Sequence, residues 1–458
     1  MLNNLKKNNF KGNLRDILHM DKKIVLIGAG STSFGPSMFS DLYLSEILEG
    51  SEVVLHDIDK SKLEMIYNLL RVENERREEK FILKKTLNRE EALKGADFII
   101  SSIEVGDRFR LWWQDYEIPK KYGSTQVLGE NGGPGGIFHT FRILPPIINI
   151  VRDVEKKCPE AFFINFSNPM SRVCLGIKRV VDINFIGLCH EIKSLEHHIP
   201  LILEKNIDDL KMVVAGLNHF GFLLSLVEKK SADNLLPEFN NKALNYFKRR
   251  ENRFEFSHLT FEVYKRFGYF PHAGDNHMGE YLQFAEEFTK TQDMIDWINR
   301  TDKYNQRIFN RVIKYYKKLK ANVYPKKGFL KKIPSGERAI PIIEAILTDR
   351  NSYENSVNIP NTSIIDNLPQ DLVVEVPCIV NKNGVTGVKL GNIPKNIAAL
   401  LRIEATIQDL CVEAVLLHSK NLALAALALD PNIGSFKKAE LIFNEMTNLQ
   451  KDFLPNFT

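Results

Sequence analysis

Apolar runs and helical stretches alternate through the first third of the chain. Runs with the length of buried strands occur at residues 22–27, 52–56, 97–102, 162–166 and 184–188, and residues 81–84 are a weaker candidate for a strand. Amphipathic stretches with helical spacing separate them, for example at residues 60–80 and 138–157. This strand–helix–strand rhythm predicts an α/β fold built on a Rossmann-type, doubly wound parallel sheet.

The pattern changes after about residue 220, where long helical stretches predominate. A strand-like run at 371–380 is followed by a turn signal at 381–384 (NKNG), which predicts a hairpin. We therefore expect a second domain of the α+β class. The predicted organisation is an N-terminal extension over residues 1–20, a Rossmann domain over 21–200 and an α+β domain over 201–458.

Composition excludes several classes of protein. The 458 residues include 62 Lys and Arg against 57 Asp and Glu, and this small, dispersed excess of positive charge predicts no nucleic-acid partner. No apolar run reaches the roughly 18 residues that span a bilayer, so no membrane association is expected. Residues 1–20 lack the apolar core of a secretion signal. Five cysteines without a Cys-x-x-Cys pair are typical of a reduced cytoplasmic protein.

A glycine-rich loop follows the first predicted strand and precedes a helix. Glycines in this context let the backbone approach a pyrophosphate, whose charge the helix N-terminus favours. A serine replaces the third glycine of the usual motif, and Gly35 lies two residues beyond it. A carboxylate at the end of the second strand favours NAD over NADP, because it accepts from a ribose 2′-hydroxyl; a plain tight turn is the alternative. The residues predicted to bind the dinucleotide are Gly28, Gly30, Ser31, Thr32 and Asp57.

A thiol and an imidazole each follow a short apolar run, at Cys189 and at His219. Together they suit a divalent transition metal, and two protein ligands leave positions open for substrate oxygens. The alternative is that both residues are packed in the core. Asn168 also follows a predicted strand, and Pro169 favours an extended conformation there, so the Asn168 amide is expected to point into the crevice at the strand ends.

Two further segments concentrate groups able to move protons. A glycine cluster at residues 129–136 contains Glu130 just before a helix, and it is either a shaped loop near the site or a flexible connector. Residues 272–281 contain Asp275 and Tyr281 in a turn that leads into a helix. This second segment is the best candidate for proton transfer in the second domain, although Asp275 in such a place also fits a helix cap.

These motifs together resemble glycoside hydrolase family 4, the glycosidases that depend on NAD and a divalent metal. The resemblance covers residues 22 to about 433 and rests on IGAGST at 27–32, GGPGG at 132–136, NFSNPM at 165–170, GLCHE at 187–191 and AGLNH at 215–219. It implies a malate-dehydrogenase-like Rossmann domain, with a second domain that contributes to substrate and metal binding and to a homodimer or homotetramer. The implied cofactors are NAD and Mn²⁺ or another divalent metal.

The resemblance also implies an unusual mechanism, distinct from that of the paired-carboxylate glycosidases. NAD⁺ takes a hydride from C3 of the sugar, which makes the proton on C2 acidic. A base removes that proton with the help of the metal, and the C1–O bond breaks by elimination. Water then adds to the alkene and the hydride returns to C3, so the cofactor is regenerated in each turnover.

Site residues follow from the resemblance by position. Cys189 and His219 match the metal ligands, and Asn168 matches the substrate-binding asparagine. The base is expected to be Asp275, with Tyr281 as second choice. The candidates for the acid are His190, directly after the metal cysteine, and Glu130.

The substrate is predicted from the same motifs. Cys-His-Glu at 189–191 and the 273–281 segment are similar to branches that act on unphosphorylated galactosides or uronides. We therefore expect a small-molecule α-galactoside or α-uronide, and a uronide carboxylate would need a cation such as Arg338 or Arg108. A 6-phospho-α-glycosidase and a malate- or lactate-type 2-hydroxy-acid dehydrogenase are the alternatives.

Overall fold

The structure, a computed structural model, describes residues 21–250, 256–330 and 333–458. The predicted N-terminal extension over residues 1–20 lies outside the described residues. Within the described ranges, no helix combines the length and apolar character needed to cross a membrane.

Six parallel strands form the predicted Rossmann sheet. They are β1 (Lys23–Ile27), β2 (Glu52–His56), β3 (Ile82–Thr86), β4 (Phe98–Ser101), β5 (Phe162–Asn165) and β6 (Phe185–Gly187). Their spatial order is β3-β2-β1-β4-β5-β6, with every neighbouring pair parallel. This is the strand order of dinucleotide-binding domains, so the predicted fold class is confirmed. Helices cover the central strand β1 on both faces, which is why it is continuously apolar from Ile24 to Ile27.

The helices of this part of the chain alternate with the strands. They are α1 (Phe34–Leu42), α2 (Lys60–Glu75), α3 (Arg89–Leu93), α4 (Arg108–Lys121), α5 (Gly133–Lys157), α6 (Met170–Val180) and α7 (Lys193–Leu203). Three of these helices begin with a side-chain cap that accepts from a backbone N–H group in the first turn. The cap is Asp59 for α2, Asn88 for α3 and Asp107 for α4.

The remaining strands extend the same sheet in antiparallel fashion. They are β7 (Leu210–Leu217), β8 (Phe220–Glu228), β9 (Phe270–Pro271), β10 (Ser352–Pro360), β11 (Val373–Asn381) and β12 (Gly384–Gly387). The order continues from β6 as β10-β11-β7-β8-β9, and β12 pairs with β11. The β11–β12 hairpin closes at the Asn381↔Gly384 pair, which confirms the predicted turn. The sheet thus runs through the predicted domain boundary near residue 200, and both halves of the chain share it.

Eight helices described after residue 235 pack around this sheet extension. They are α8 (Leu236–Arg250), α9 (His258–Phe267), α10 (Asp275–Met278), α11 (Thr291–Lys320), α12 (Ala339–Leu347), α13 (Lys395–Leu417), α14 (Lys420–Leu429) and α15 (Phe436–Leu449). Helix α13 packs against α5 and α6 of the Rossmann part. The two halves are therefore joined by helix packing as well as by the sheet.

A buried ionic group lies where α13 meets α6. Arg172 and Glu404 form an ion pair at 2.9 Å with almost no exposure of either side chain. Asp430, at the end of α14, is buried nearby, and its Oδ1 accepts from the Asn432 amide at 2.9 Å. Burial, and then the charge of Glu404, raise the pKa of Asp430 to about 7.

Asp430→Asn is expected to change how stability depends on pH. Unfolded Asp loses its proton near pH 4, whereas folded Asp430 keeps it up to about pH 7. Between these pH values the folded state therefore binds one proton more than the unfolded state. The protonated Asp430 favours folding fully below about pH 4, and this contribution to the free energy of unfolding is lost as the pH rises through 7. Urea unfolding measures the free energy of unfolding of both proteins. The value for the variant minus the value for the parent should rise from pH 5 to pH 8. The exposed Asp452→Asn is the control; parallel pH profiles for parent and Asp430→Asn would contradict the assignment.

Candidate active site

The loop after β1 is shaped by two glycines. Gly28 has φ +81°, and a Cβ there would lie 2.0 Å from the backbone oxygen of Ser102, so a side chain does not fit. A Cβ on Gly35 would lie 2.6 Å from the backbone oxygen of Ala29. Gly35 thus provides the close packing of helix on loop that the third glycine of the motif usually provides.

Asp57 faces this loop from the end of β2. Its Oδ2 accepts from the Gly30 amide at 2.8 Å, and its Oδ1 accepts from the Asp59 amide at 2.8 Å. Ser31 Oγ accepts from the Phe34 amide at 3.2 Å in the first turn of α1. Thr32 is half-buried beside it. The five residues predicted to bind the dinucleotide therefore lie together at the carboxyl ends of β1 and β2, and the tight backbone cradle fits NAD.

The predicted metal ligands also meet. Cys189 follows β6, His219 lies in the two-residue turn between β7 and β8, and the Cys189 Sγ is 3.2 Å from the His219 Nε2. His219 has φ +60°, a conformation that costs free energy for a residue with a side chain. The strained turn aims the imidazole at the thiol, and this donor set fits a divalent transition metal.

Burial controls the protonation of both ligands. Burial, followed by the proximity of His277, lowers the pKa of His219 to about 3, so the ring is neutral and a nitrogen lone pair is free to bind metal. Burial, with the nearby Glu375 and Glu191, raises the pKa of the Cys189 thiol. Metal binding would therefore release a proton from Cys189.

A ring of buried polar groups surrounds the pair. His272 lies 3.4 Å from Glu375 through Nε2 and Oε2, and its Nδ1 accepts from the Gly221 amide at 3.1 Å. Burial lowers the pKa of His272, but hydrogen bonding and the charge of Glu375 outweigh it and raise the pKa overall. The Glu375 carboxylate also accepts from Asn218 Nδ2, one residue before His219. This contact fixes the turn that carries His219.

Asp275, the first choice of base, is engaged elsewhere. Its carboxylate accepts from the amides of Ser257, Leu259 and Thr260 at 2.9–3.1 Å and from the Thr260 hydroxyl at 2.6 Å. It thus caps the N-terminus of α9 rather than its own short helix. Four donors occupy the oxygens that a base would need, so the geometry argues against the predicted role of Asp275 in proton abstraction.

Tyr281, the second choice, lies beside the metal pair. Its ring stacks on Phe220 at 4.9 Å, and its hydroxyl is 3.5 Å from the backbone oxygen of Asn218. Burial and the nearby Glu280 raise the pKa of Tyr281 well above 10, so the hydroxyl keeps its proton in the free protein. Tyr281 therefore presents a protonated hydroxyl close to the turn that carries His219.

A small cavity next to Tyr281 has several polar side chains in its lining. Its lining residues are Asn131, Pro169, Met170, Ser171, Arg172, Asn218, Tyr281 and Gln408. Four buried polar atoms in this lining have no hydrogen-bond partner in the structure: Asn131 Nδ2 and Oδ1, Arg172 Nε and Gln408 Oε1. Buried polar atoms are usually paired, and the cavity is about the size of one water molecule, so it fits an ordered water or a single hydroxyl of a ligand.

The predicted substrate residue Asn168 borders this cavity. Its Oδ1 is buried without a hydrogen-bond partner, and Pro169, which follows it, lines the cavity. The Asn168–Pro169 bond is cis, a feature that the sequence did not indicate. The unpaired oxygen is available to accept from a substrate hydroxyl.

The two acid candidates differ in environment. His190 is 70% exposed, and its Nδ1 is 3.7 Å from Glu337 Oε1 at the rim. Glu130 is nearly buried and ion-paired with Arg108. Burial acts to raise the pKa of Glu130, but the charges of Arg108 and nearby histidines outweigh it and lower the pKa.

The predicted cations for a uronide are both paired. The guanidinium of Arg338 makes a bidentate contact with Glu354, at 2.8 Å from Nε and 2.7 Å from Nη2. Arg108 contacts Glu130 and also lies 3.9 Å from Glu104. Neither arginine is free to bind an anionic substrate without losing its present partner.

The sequence did not predict the contacts of two residues in the 272–281 segment. Glu280 accepts from the backbone amides of Glu130, Asn131 and Gly132, and so anchors the glycine-rich loop. The ring of His277 lies 4.4 Å from that of His219. The sequence shows that this segment is rich in titratable groups, but it does not show which of their side chains point towards Cys189 and His219.

Two family models and long relatives match this chain. The family 4 glycosyl hydrolase model matches residues 23–204, and the model of the family's C-terminal domain matches residues 214–433. The chain is 37% identical over 445 residues to an α-glucosidase of Erwinia rhapontici, covering 90% of this chain and 94% of that protein. It is 30% identical over 439 residues to an α-galactosidase of Bacillus subtilis, covering 95% and 100%.

Among solved structures, a 6-phospho-α-glucosidase from gut microorganisms, in complex with NAD and Mn²⁺, shares the fold. The TM-score is 0.80 at 22% identity, and the match covers 96% of this chain and 100% of that chain. Two family models that together span most of the chain, with relatives of matching length, establish the family. The chain is therefore an enzyme and belongs to the family 4 glycosyl hydrolases.

Proposed function

We propose that this enzyme hydrolyses an unphosphorylated, uncharged α-hexoside, either an α-glucoside or an α-galactoside, with bound NAD and a divalent metal such as Mn²⁺. The observation that carries the substrate class is that Arg108, Arg172 and Arg338 each already contact a carboxylate. The lining of the small cavity beside Tyr281 also offers unpaired hydrogen-bonding atoms to a sugar hydroxyl. Relatives named α-glucosidase and α-galactosidase support the same class.

Charge around the site argues against an anionic sugar. A phosphate or carboxylate is usually bound by a cation that is free to pair with it. Among the described residues near the metal pair, Arg108, Arg172 and Arg338 each already contact a carboxylate. None of these three arginines is therefore unpaired and available to bind the carboxylate of the α-uronide predicted from the motifs.

We assign the cofactor sites to the residues predicted from sequence. Gly28, Gly30, Ser31, Thr32 and Asp57 would hold NAD, and Cys189 with His219 would hold the metal. When bound, NAD supplies a hydride acceptor, and the divalent ion supplies a Lewis acid that favours loss of a proton next to a carbonyl. Both groups would lie at the carboxyl edge of the parallel strands, where α/β proteins bind ligands.

The chain's own side chains then position the sugar and move protons. Asn168 Oδ1 would accept from a sugar hydroxyl, and Tyr281 Oη would exchange the proton at the carbon next to the oxidised one. For the leaving group, we favour His190 over Glu130 as proton donor. His190 is exposed beside Cys189, whereas Glu130 is tied to Arg108.

A panel of p-nitrophenyl glycosides tests the proposal. The panel holds the α-glucoside, the α-galactoside, both α-uronides and 6-phospho-α-glucoside, with NAD⁺, Mn²⁺ and a thiol reductant each omitted in turn. We expect release of p-nitrophenol to require NAD⁺ and Mn²⁺, without net NADH, and to be at least about tenfold faster for an uncharged glycoside. Preference for a charged glycoside would overturn the substrate class. Metal-independent NADH formation from a 2-hydroxy acid would instead indicate a dehydrogenase.

We also propose that the enzyme is a cytoplasmic homodimer or homotetramer. All five cysteines are free thiols in the structure, which agrees with a reducing compartment. Light scattering on the purified enzyme gives the number of subunits, and a monomer at assay concentration would contradict this assembly.

A further inference from the structure

Asn131 is a buried asparagine in the glycine-rich loop, and neither polar atom of its side-chain amide has a partner. The residue is 3% exposed, and both its Oδ1 and its Nδ2 are buried without a hydrogen bond in the structure. Buried amide groups are usually paired, because a hydrogen bond to water that is lost and not replaced destabilises the fold. Two free atoms on one buried side chain therefore indicate a place where a ligand binds.

The backbone that carries this side chain is held in place next to Tyr281. Glu280 Oε2 accepts from the amides of Asn131 and Gly132, each at 3.1 Å. A Cβ on Gly132 would lie only 2.6 Å from Cε1 of the Tyr281 ring, so the loop packs directly on that ring. The side-chain amide of Asn131 is thus presented beside Tyr281 by a backbone that has its own partners, which leaves the side chain available to a ligand.

Two other residues that line the same small cavity also have a free buried atom. They are Arg172, with its Nε as a donor, and Gln408, with its Oε1 as an acceptor. The charge of Arg172 is balanced by Glu404 at 2.9 Å. The lining therefore offers two donors and two acceptors without an unbalanced charge. A hydroxyl both donates and accepts, whereas a carboxylate only accepts, so this combination suits a hydroxyl.

We propose that Asn131 binds one hydroxyl of the sugar, with Gln408 as a second contact, and so contributes to the preference for an uncharged glycoside. This inference rests on the proposed function and names a specificity residue for it. Asn168, the predicted substrate residue, borders the same cavity through Pro169. Amide groups from two separate loops would therefore meet the same sugar, and each would fix its orientation relative to Tyr281.

The competing explanation is that the cavity holds an ordered water in every state of the enzyme. Water also donates and accepts, and the cavity has about the size for one molecule. Under this explanation, loss of the Asn131 amide changes the affinity for every sugar by the same factor. Direct contact predicts instead that the effect of the substitution disappears for the sugar analogue that lacks the bound hydroxyl, because the two changes remove the same interaction.

Calorimetric titration of the full-length enzyme with a set of deoxy sugars separates the two explanations. The enzyme is loaded with Mn²⁺ and NADH, so that oxidation of the sugar does not begin, and is titrated with the methyl α-glycoside of the sugar that it cleaves. Analogues that lack each hydroxyl in turn are titrated in the same way. We expect Asn131→Ala to weaken binding of the complete glycoside about 10- to 100-fold and to have almost no effect on one of the analogues.

Asn240→Ala is the matched control, because the Oδ1 of Asn240 is also buried without a partner but lies on α8, outside the cavity lining. It should bind every glycoside as the parent enzyme does. An equal loss for all analogues in Asn131→Ala, or no loss at all, would overturn the proposal.

A crystal structure of the parent enzyme with NADH and the methyl glycoside provides a second measurement that needs no variant. A sugar hydroxyl within about 3.2 Å of the Asn131 amide supports the proposal. A water in that place, with the sugar bound elsewhere, overturns it even if Asn131→Ala fails to fold. A parent enzyme that binds no uncharged glycoside in the titration would instead reject the proposed function, and this inference with it.

Discussion

Cys189→Ala is expected to abolish glycosidase turnover and to leave NAD binding intact. The thiol is the only sulfur ligand in the proposed metal set, and its Sγ lies 3.2 Å from His219 Nε2. Loss of a partner outside the ligand set typically costs about 10- to 100-fold in metal affinity or activity, and loss of a ligand itself should exceed that. The dinucleotide loop lies on other strands, β1 and β2, so it should be unaffected. Steady-state kinetics at saturating Mn²⁺ and calorimetric titration with NAD⁺ measure the two effects.

Cys158→Ala is the matched control for this experiment. Cys158 is a buried thiol, whereas Cys189 is half-buried, and it lies at the C-terminal end of α5 within an apolar cluster of the Rossmann part. Its replacement should change turnover little and cost only the packing of one sulfur. Near-normal Mn²⁺-dependent turnover in Cys189→Ala would remove the thiol from the catalytic site.

Arg172→Ala is expected to cause the largest loss of stability. Arg172 is 1% exposed, and its Nη2 lies 2.9 Å from Glu404 Oε1. Removing one partner of a buried ion pair leaves the other charge without compensation in an apolar region, at a cost of about 3–5 kcal/mol. Asp430 adds to this effect, because burial and the charge of Glu404 raise its pKa while Arg172 opposes that shift, so removal of Arg172 leaves two buried carboxyl groups without a cation. Urea unfolding followed by circular dichroism should show a much lower midpoint than for the parent enzyme.

Two comparisons isolate the cause of that loss. Arg89→Ala breaks a partly exposed ion pair with Asp153 and should cost no more than about 1 kcal/mol. The double variant Arg172→Met with Glu404→Leu removes both charges and should recover most of the stability, because the uncompensated carboxylate is gone. A double variant that is as unstable as Arg172→Ala would show that side-chain packing, and not charge, is what Arg172 provides.

The parallel half of the fold was predictable because its signal is local. Strands buried on both faces must be continuously apolar, and such runs, separated by helical stretches, define a doubly wound sheet. The edge strand β3 (ILKKT) was only weakly indicated, because its alternating exposed and half-buried positions resemble those of a loop. Strand β10 (SYENSVNIP) was not predicted, since its polar composition becomes compatible with burial only through pairing with β6 and β11.

The site also has one part that was predictable from the sequence and one part that was not. Motifs after strands correctly brought together Cys189 and His219, because the carboxyl ends of parallel strands share one edge and the hairpin turn reaches that edge. The choice between Asp275 and Tyr281 was beyond sequence reasoning. An aspartate in a polar turn looks the same whether its carboxylate is free or, as here, capped by four donors from another helix.

Sequence by itself determined the family, and it located the glycine-rich loop after β1 and the thiol and imidazole of Cys189 and His219, since each lies in a short segment with a recognisable spacing and context. Only the tertiary structure decided which charged groups are free. Arg108 and Arg338 are neutralised by Glu130 and Glu354, which are distant in the chain or on another element. Burial and contacts between side chains arise only when distant segments pack together in the folded chain. They determine the polarity of the cavity beside Tyr281, and they determine which acids and bases are free to exchange a proton.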